Sequence, residues 1–89
     1  MRNVKRVTLT GDWTAIQFDD KVKNYFVKNF SSNAIYVSFE ANDTEDTSFK
    51  ISAGIGERVA INQSNLEMVG YKTDTIYVKG TGEVEIQQM

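Results

Sequence analysis

The stretch Tyr25–Glu40, YFVKNFSSNAIYVSFE, decides the fold. It reads as a hairpin of two runs rich in aromatic and β-branched residues, Tyr25–Phe30 and Ile35–Phe39, around the turn-forming Ser31-Ser32-Asn33. Side chains alternate across a strand. In the second run Ile35, Val37 and Phe39 therefore share one face, and Tyr36, Ser38 and Glu40 the other, the pattern of a half-buried antiparallel strand. The first run carries aromatics on both faces, with Tyr25, Val27 and Asn29 on one and Phe26, Lys28 and Phe30 on the other. A small domain seldom has two protein layers of its own for such a strand. One face goes to the core through Val27, and Phe26 and Phe30 suit contact with another protein layer better than open water.

Outward from this stretch, strand and turn signals keep alternating. Val4–Leu9 and Trp13–Phe18 read as an N-terminal hairpin around Thr10-Gly11-Asp12. Ser48–Ser52 and Glu57–Ile61 read as a strand and its return across Ala53-Gly54-Ile55-Gly56, and Thr75–Lys79 and Glu83–Gln87 as a closing hairpin across Gly80-Thr81-Gly82. Leu66–Val69 fits a short helical turn capped by Ser64 or a short strand. No segment sustains a 3.6-residue period. The predicted fold is all-β: a single domain over residues 1–89, an antiparallel β-sandwich (jelly-roll or Ig-like) or small barrel of about eight short strands. Its predicted core is Val7, Leu9, Ile16, Phe18, Val27, Ile35, Val37, Phe39, Phe49, Ile51, Val59, Ile61, Ile76, Val78, Val84 and Ile86, which places Tyr77 outward.

Composition narrows the chemistry. The 89 residues are 40% apolar and 25% charged, ordinary for a soluble domain, and the net charge of −2 offers no basic excess for a nucleic-acid partner. There is no cysteine, so there are no disulfides, thiolate zinc sites or cysteine nucleophiles. There is no histidine, which removes the commonest general base and rules out a Ser-His-Asp triad within the chain. The opening MRNVKRVTLTG has basic clusters without an apolar run behind them, unlike a signal peptide, and no segment has the length of a membrane helix. The expectation is a protein without cofactor or membrane partner, kept in the cytosol or released by a route such as lysis.

Several constellations invite chemical readings. Asp43, Glu45 and Asp46, flanked by Asn42 and Thr44, offer oxygens to calcium but lack EF-hand spacing, and the plainer reading is a solvated loop. Asp19-Asp20 and Glu83/Glu85 are the densest carboxylate pairs, and neither aims two carboxyls at one buried bond, so no catalytic residue is assigned. Gly54/Gly56 and Gly80/Gly82 sit between strands, where turns explain them. The Asn-x-Ser/Thr triplets at Asn29, Asn42 and Asn62 are chance matches without a secretory signal. The aromatics carry the real question. Trp13, Tyr25, Phe26, Phe30, Tyr36, Tyr71 and Tyr77 cannot all be central in so small a core. Phe26, Phe30, Tyr36 and Tyr77 are the candidate contacts between subunits. The alternative is a carbohydrate-binding or adhesion module in which Trp13 stacks on sugar with Tyr36 or Tyr77.

Four segments carry a family resemblance: Val27-Lys28-Asn29-Phe30-Ser31, Ile35-Tyr36-Val37-Ser38-Phe39, Ile51-Ser52-Ala53-Gly54-Ile55-Gly56, and Thr75–Glu85, TIYVKGTGEVE. Together they resemble small β-sandwich structural proteins of tailed bacteriophages and prophages. The likeness covers most of the chain after Lys21, and Thr8–Trp13 fits it loosely. It implies a non-enzymatic virion part, made in the bacterial host cytoplasm, that assembles with copies of itself and docks to other phage structural proteins. Head decoration, head–tail joining and a fibre or baseplate part all fit.

Overall fold

The computed structural model describes residues 4–41, 43–60 and 72–89. They form eight strands: β1 (Val4–Thr10), β2 (Thr14–Val22), β3 (Asn24–Asn29), β4 (Ile35–Ser38), β5 (Phe49–Ile51), β6 (Gly56–Ala60), β7 (Thr73–Lys79) and β8 (Thr81–Gln88). A short 3-10 turn, Glu45–Thr47, interrupts the β4–β5 connection. The fold is the expected all-β sandwich. The first sheet runs β1-β8-β3-β6 and the second β2-β7-β4-β5, all antiparallel. Ile61, Leu66–Val69, Tyr71, Asn42 and Asn62 lie outside the described residues.

The pairing is nested. β1 pairs with β8, β2 with β7, β3 with β6 and β4 with β5. The chain is one long hairpin, rolled until β8 also meets β3 and β7 also meets β4. This is the jelly-roll arrangement.

The order corrects four expectations. β1 and β2, β3 and β4, β5 and β6, and β7 and β8 each lie in different sheets. The connections read as hairpin turns are arches between layers, and among the described residues only β4–β5 joins sequence neighbours in register, from Ile35↔Ile51 to Val37↔Phe49. A polar glycine-bearing turn serves either geometry, so local composition does not separate them. One contact explains the glycine at the start of β8. Gly82 has φ +90°, and a Cβ there would sit 2.4 Å from Ser31 Cβ, because the β7–β8 arch lies against the β3–β4 arch.

Alternation fills the core. Leu9, Ile16, Phe18, Val27, Ile35, Val37, Phe39, Ile51, Val59, Ile76, Val78, Val84 and Ile86 are buried as expected, while Val7 and Phe49 are partly buried against them. Burying each such side chain contributes about 1.5–3 kcal/mol. Tyr25, on the Val27 face, is an addition to the expected core at 0% exposure. Its ring joins a line through Phe18, Phe39 and Phe49, with successive centroids 5.6, 5.9 and 6.2 Å apart. Its hydroxyl donates to the Thr73 carbonyl at 2.5 Å and accepts from Gln88 Nε2 at 3.2 Å. Gln88 Nε2 also donates to the Asp20 carbonyl at 2.6 Å. The two sheets are thus tied by buried polar groups that keep their hydrogen bonds.

The sheet edges are guarded. β5 is three residues long, and the β2 register breaks between Gln17 and Val22. On β1, Lys5 shares the inward side with Val7 and Leu9; its ammonium donates to the Gln17 carbonyl and lies 5.3 Å from the Phe18 ring centroid. On β6, Glu57 falls on the Val59 side. Short strands, bulges and inward-pointing charges all discourage edge-to-edge pairing.

Candidate functional site

The outer face of the first sheet is built from alternate residues of β1, β8, β3 and β6. Register lays them out in rows. One row reads Arg6, Glu85, Lys28, Gly56, and the next Val4, Gln87, Phe26, Arg58. Phe30 follows β3, held by its N–H donating to the Glu83 carbonyl at 3.0 Å, and is 53% exposed. Arg6 donates to Glu85 at 2.8 Å and Lys28 lies 3.4 Å from the other Glu85 oxygen. The Arg6 guanidinium sits 5.8 Å from the Phe30 ring centroid and the Lys28 ammonium 6.0 Å from that of Phe26. These distances are within cation–π range. The hydrogen bond from Arg6, with help from Lys28, holds the Glu85 carboxyl below its ordinary value, and Glu85 in turn raises Arg6. The face is an ordered charge row flanked by two aromatic rings.

At its β6 side the face dips into a groove of about 200 Å³ lined by Phe26, Lys28, Asn29, Phe30 and Gly54-Ile55-Gly56. Gly56 lies against the Phe26 ring, where a Cβ would come within 2.9 Å. Ile55 is 46% exposed. Ile55 lies in the stretch expected to be a turn, and its signal in the sequence is a large apolar residue between two glycines, where turn chemistry favours polar ones. Arg6 and Glu85, 79 residues apart, meet only through the β1–β8 pairing.

Tyr36 and Tyr77 are on the opposite side of the molecule, on the outer face of the second sheet. Tyr36 pairs with Lys79 and Lys50, and Tyr77 with Ala15 and Ser38. The two tyrosines are diagonal neighbours, a spacing of about 7–8 Å. Trp13 is half-buried and immediately precedes β2. The four candidate contact residues therefore form two surfaces, Phe26 with Phe30 and Tyr36 with Tyr77.

The β4–β5 connection folds back over this second face. Ser38 Oγ donates to Asp43 at 2.5 Å and accepts the Glu40 N–H at 3.0 Å, and the Lys79 ammonium is 3.0 Å from Glu45. Two carboxylates of the acidic loop thus secure it to the sheet. Among the described residues no group of three or more carboxylates is placed to hold a metal ion. Asp19 and Asp20 are exposed on β2, away from Glu83 and Glu85 on β8. No helix among the described residues is long and apolar enough to cross a membrane.

Compared with protein families, with curated proteins and with solved structures, the chain finds no match.

Proposed function

We propose that this chain is a non-enzymatic structural component of a tailed-phage or prophage virion, acting by self-assembly and by docking to other virion proteins. The observation that carries the reading is the outer face of the first sheet, where Phe26, Phe30 and Ile55 gather beside a fixed charge row. Clustered aromatics with charged residues held around them are what protein contact surfaces use. The jelly roll adds support by analogy, since capsid proteins use it, though lectins use it too. In an induced culture of the bacterium that carries the gene, the chain should band with phage particles in a density gradient. Recovery only with free cell protein overturns the virion role.

A second reading, a carbohydrate-binding adhesion module, draws on the paired Tyr36 and Tyr77 beside Lys79, with Trp13 near the same sheet. It requires glycan binding that Tyr36→Ala and Trp13→Ala both weaken. A glycan array without signal removes it.

A further inference from the structure

Building on the self-assembly reading, we propose that the outer face of the first sheet is a two-fold interface between two copies of this chain, in which Glu85 of each copy meets Lys28 of the other. Guarded edges on all four outer strands direct association to the faces of the sandwich. The two central strands of the first sheet are β8 and β3, so the middle of the face is the line between them.

Take that line as the two-fold axis. Each β8 then covers the other copy's β3, and each β1 covers the other copy's β6. Glu85 and Lys28 share a row and flank the axis, so each Glu85 falls on the other copy's Lys28 and each Lys28 on the other's Glu85. In the next row Gln87 falls on Phe26 and Val4 on Arg58; Arg6 falls on Gly56. No like charges face each other. An axis across the strands at this row would set Glu85 against Glu85. Aligned sheet packing turns the two sheets by about 30°, which shifts distant rows most and the pairs beside the axis least. Phe26 and Phe30, with cations already placed on their rings, supply the apolar part of the contact.

Size sets the strength. Four strands about 4.8 Å apart, each with about six residues rising about 3.3 Å, project to roughly 400 Å² per copy. Doubled over the two copies that is about 800 Å², below the roughly 1,200 Å² where stable specific interfaces begin, which implies a weak dimer that dissociates on dilution.

The test is a charge-swap pair followed by sedimentation equilibrium, with thermal melts to establish that each variant folds. Wild type is expected to dimerise. Lys28→Glu sets glutamate against Glu85 twice across the interface, and Glu85→Lys sets lysine against Lys28 twice, so each variant alone should bind itself at least about tenfold more weakly. Mixed, the two variants face each other with opposite charges, and the heterodimer should recover to within about threefold of wild type. Undiminished self-association of both single variants places the contact elsewhere and overturns this interface while self-assembly stands. Folded single variants that lose self-association but do not recover on mixing overturn the two-fold pairing. Wild type that stays monomeric at about 1 mM, where the binding energy is only about 4 kcal/mol, overturns both.

Discussion

The side-chain amide of Asn29 on β3 donates to the main-chain carbonyl of Ile51 on β5, 3.2 Å away in the other sheet. The same amide donates to the carbonyls of Asn33 and Ser52, at 2.8 and 3.1 Å, and its oxygen accepts the Ser31 N–H at 2.9 Å. One buried asparagine therefore fastens the β3–β4 arch to the end of β5. Asn29→Leu removes all four hydrogen bonds and strands buried polar groups, and should cost about 3 kcal/mol in urea unfolding. A loss below about 0.5 kcal/mol means that water replaces the amide.

Gly82 and Gly54 make a matched pair. Both have positive φ, +90° and +77°, but only Gly82 has a neighbour in the way, Ser31, while nothing lies within 4 Å of a Cβ at Gly54. Gly54→Ala carries the backbone cost alone, about 1 kcal/mol. Gly82→Ala adds the clash between two arches and should cost about 2–4 kcal/mol. Equal losses in thermal melts contradict the arch contact.

Tyr25 sets an alkaline limit. Burial raises its phenol above the ordinary value of 10.0, despite the hydrogen bond from Gln88. The folded chain then holds the proton more tightly than the unfolded one. Its stabilisation is whole below pH 10 and is lost as pH rises through the raised folded value. Tyr25→Phe should cost about 1–2 kcal/mol at neutral pH and flatten the alkaline limb of stability against pH.

Glu85 acts in the opposite direction. Arg6 lowers its carboxyl from 4.5, so the unfolded chain binds this proton more tightly. The contribution is whole above pH 4.5 and drains away as pH falls through the lowered folded value. Glu85→Gln should leave a shallower acid limb, and high salt should mimic it, since the group is at the surface. An unchanged limb at low salt assigns the acid sensitivity to other carboxyls.

Lys5 serves solubility more than stability. Lys5→Val makes β1 a seven-residue strand, VVRVTLT, whose only remaining charge is Arg6 on the outer face. The variant should fold with little change in melting temperature yet scatter light at concentrations where wild type stays clear. A clear solution shows that the edge needs no such guard.

Strand by strand, the architecture was legible. Alternation in Ile35–Phe39 and in Thr75–Lys79 placed the inward residues correctly, because period-2 patterning records which side meets the core. Phe26 and Phe30 also fall on the side opposite Val27, as their parity requires. Partner choice was not legible. Whether Gly80-Thr81-Gly82 turns back within a sheet or crosses to the other depends on what the next strand finds there. Tyr25 shares the Val27 face in the sequence, but the partners that satisfy its buried hydroxyl, Thr73 and Gln88, come from strands distant along the chain. The charge row of Arg6, Glu85 and Lys28 is three isolated residues in the sequence and becomes one feature only in register.

Nested pairing has a consequence for how the chain is made. β8, last of the eight along the chain, is an inner strand of the first sheet and the bridge between β1 and β3. Until β8 has left the ribosome, β1 has no neighbour in its sheet. The second sheet waits in the same way for β7 to join β2 to β4. β4 and β5 can close first and β3 with β6 next, each later pair spanning a longer loop, so folding is expected in the slow millisecond-to-second range of non-local β topologies. The sheets are therefore completed from β4 and β5 outward to β1 and β8.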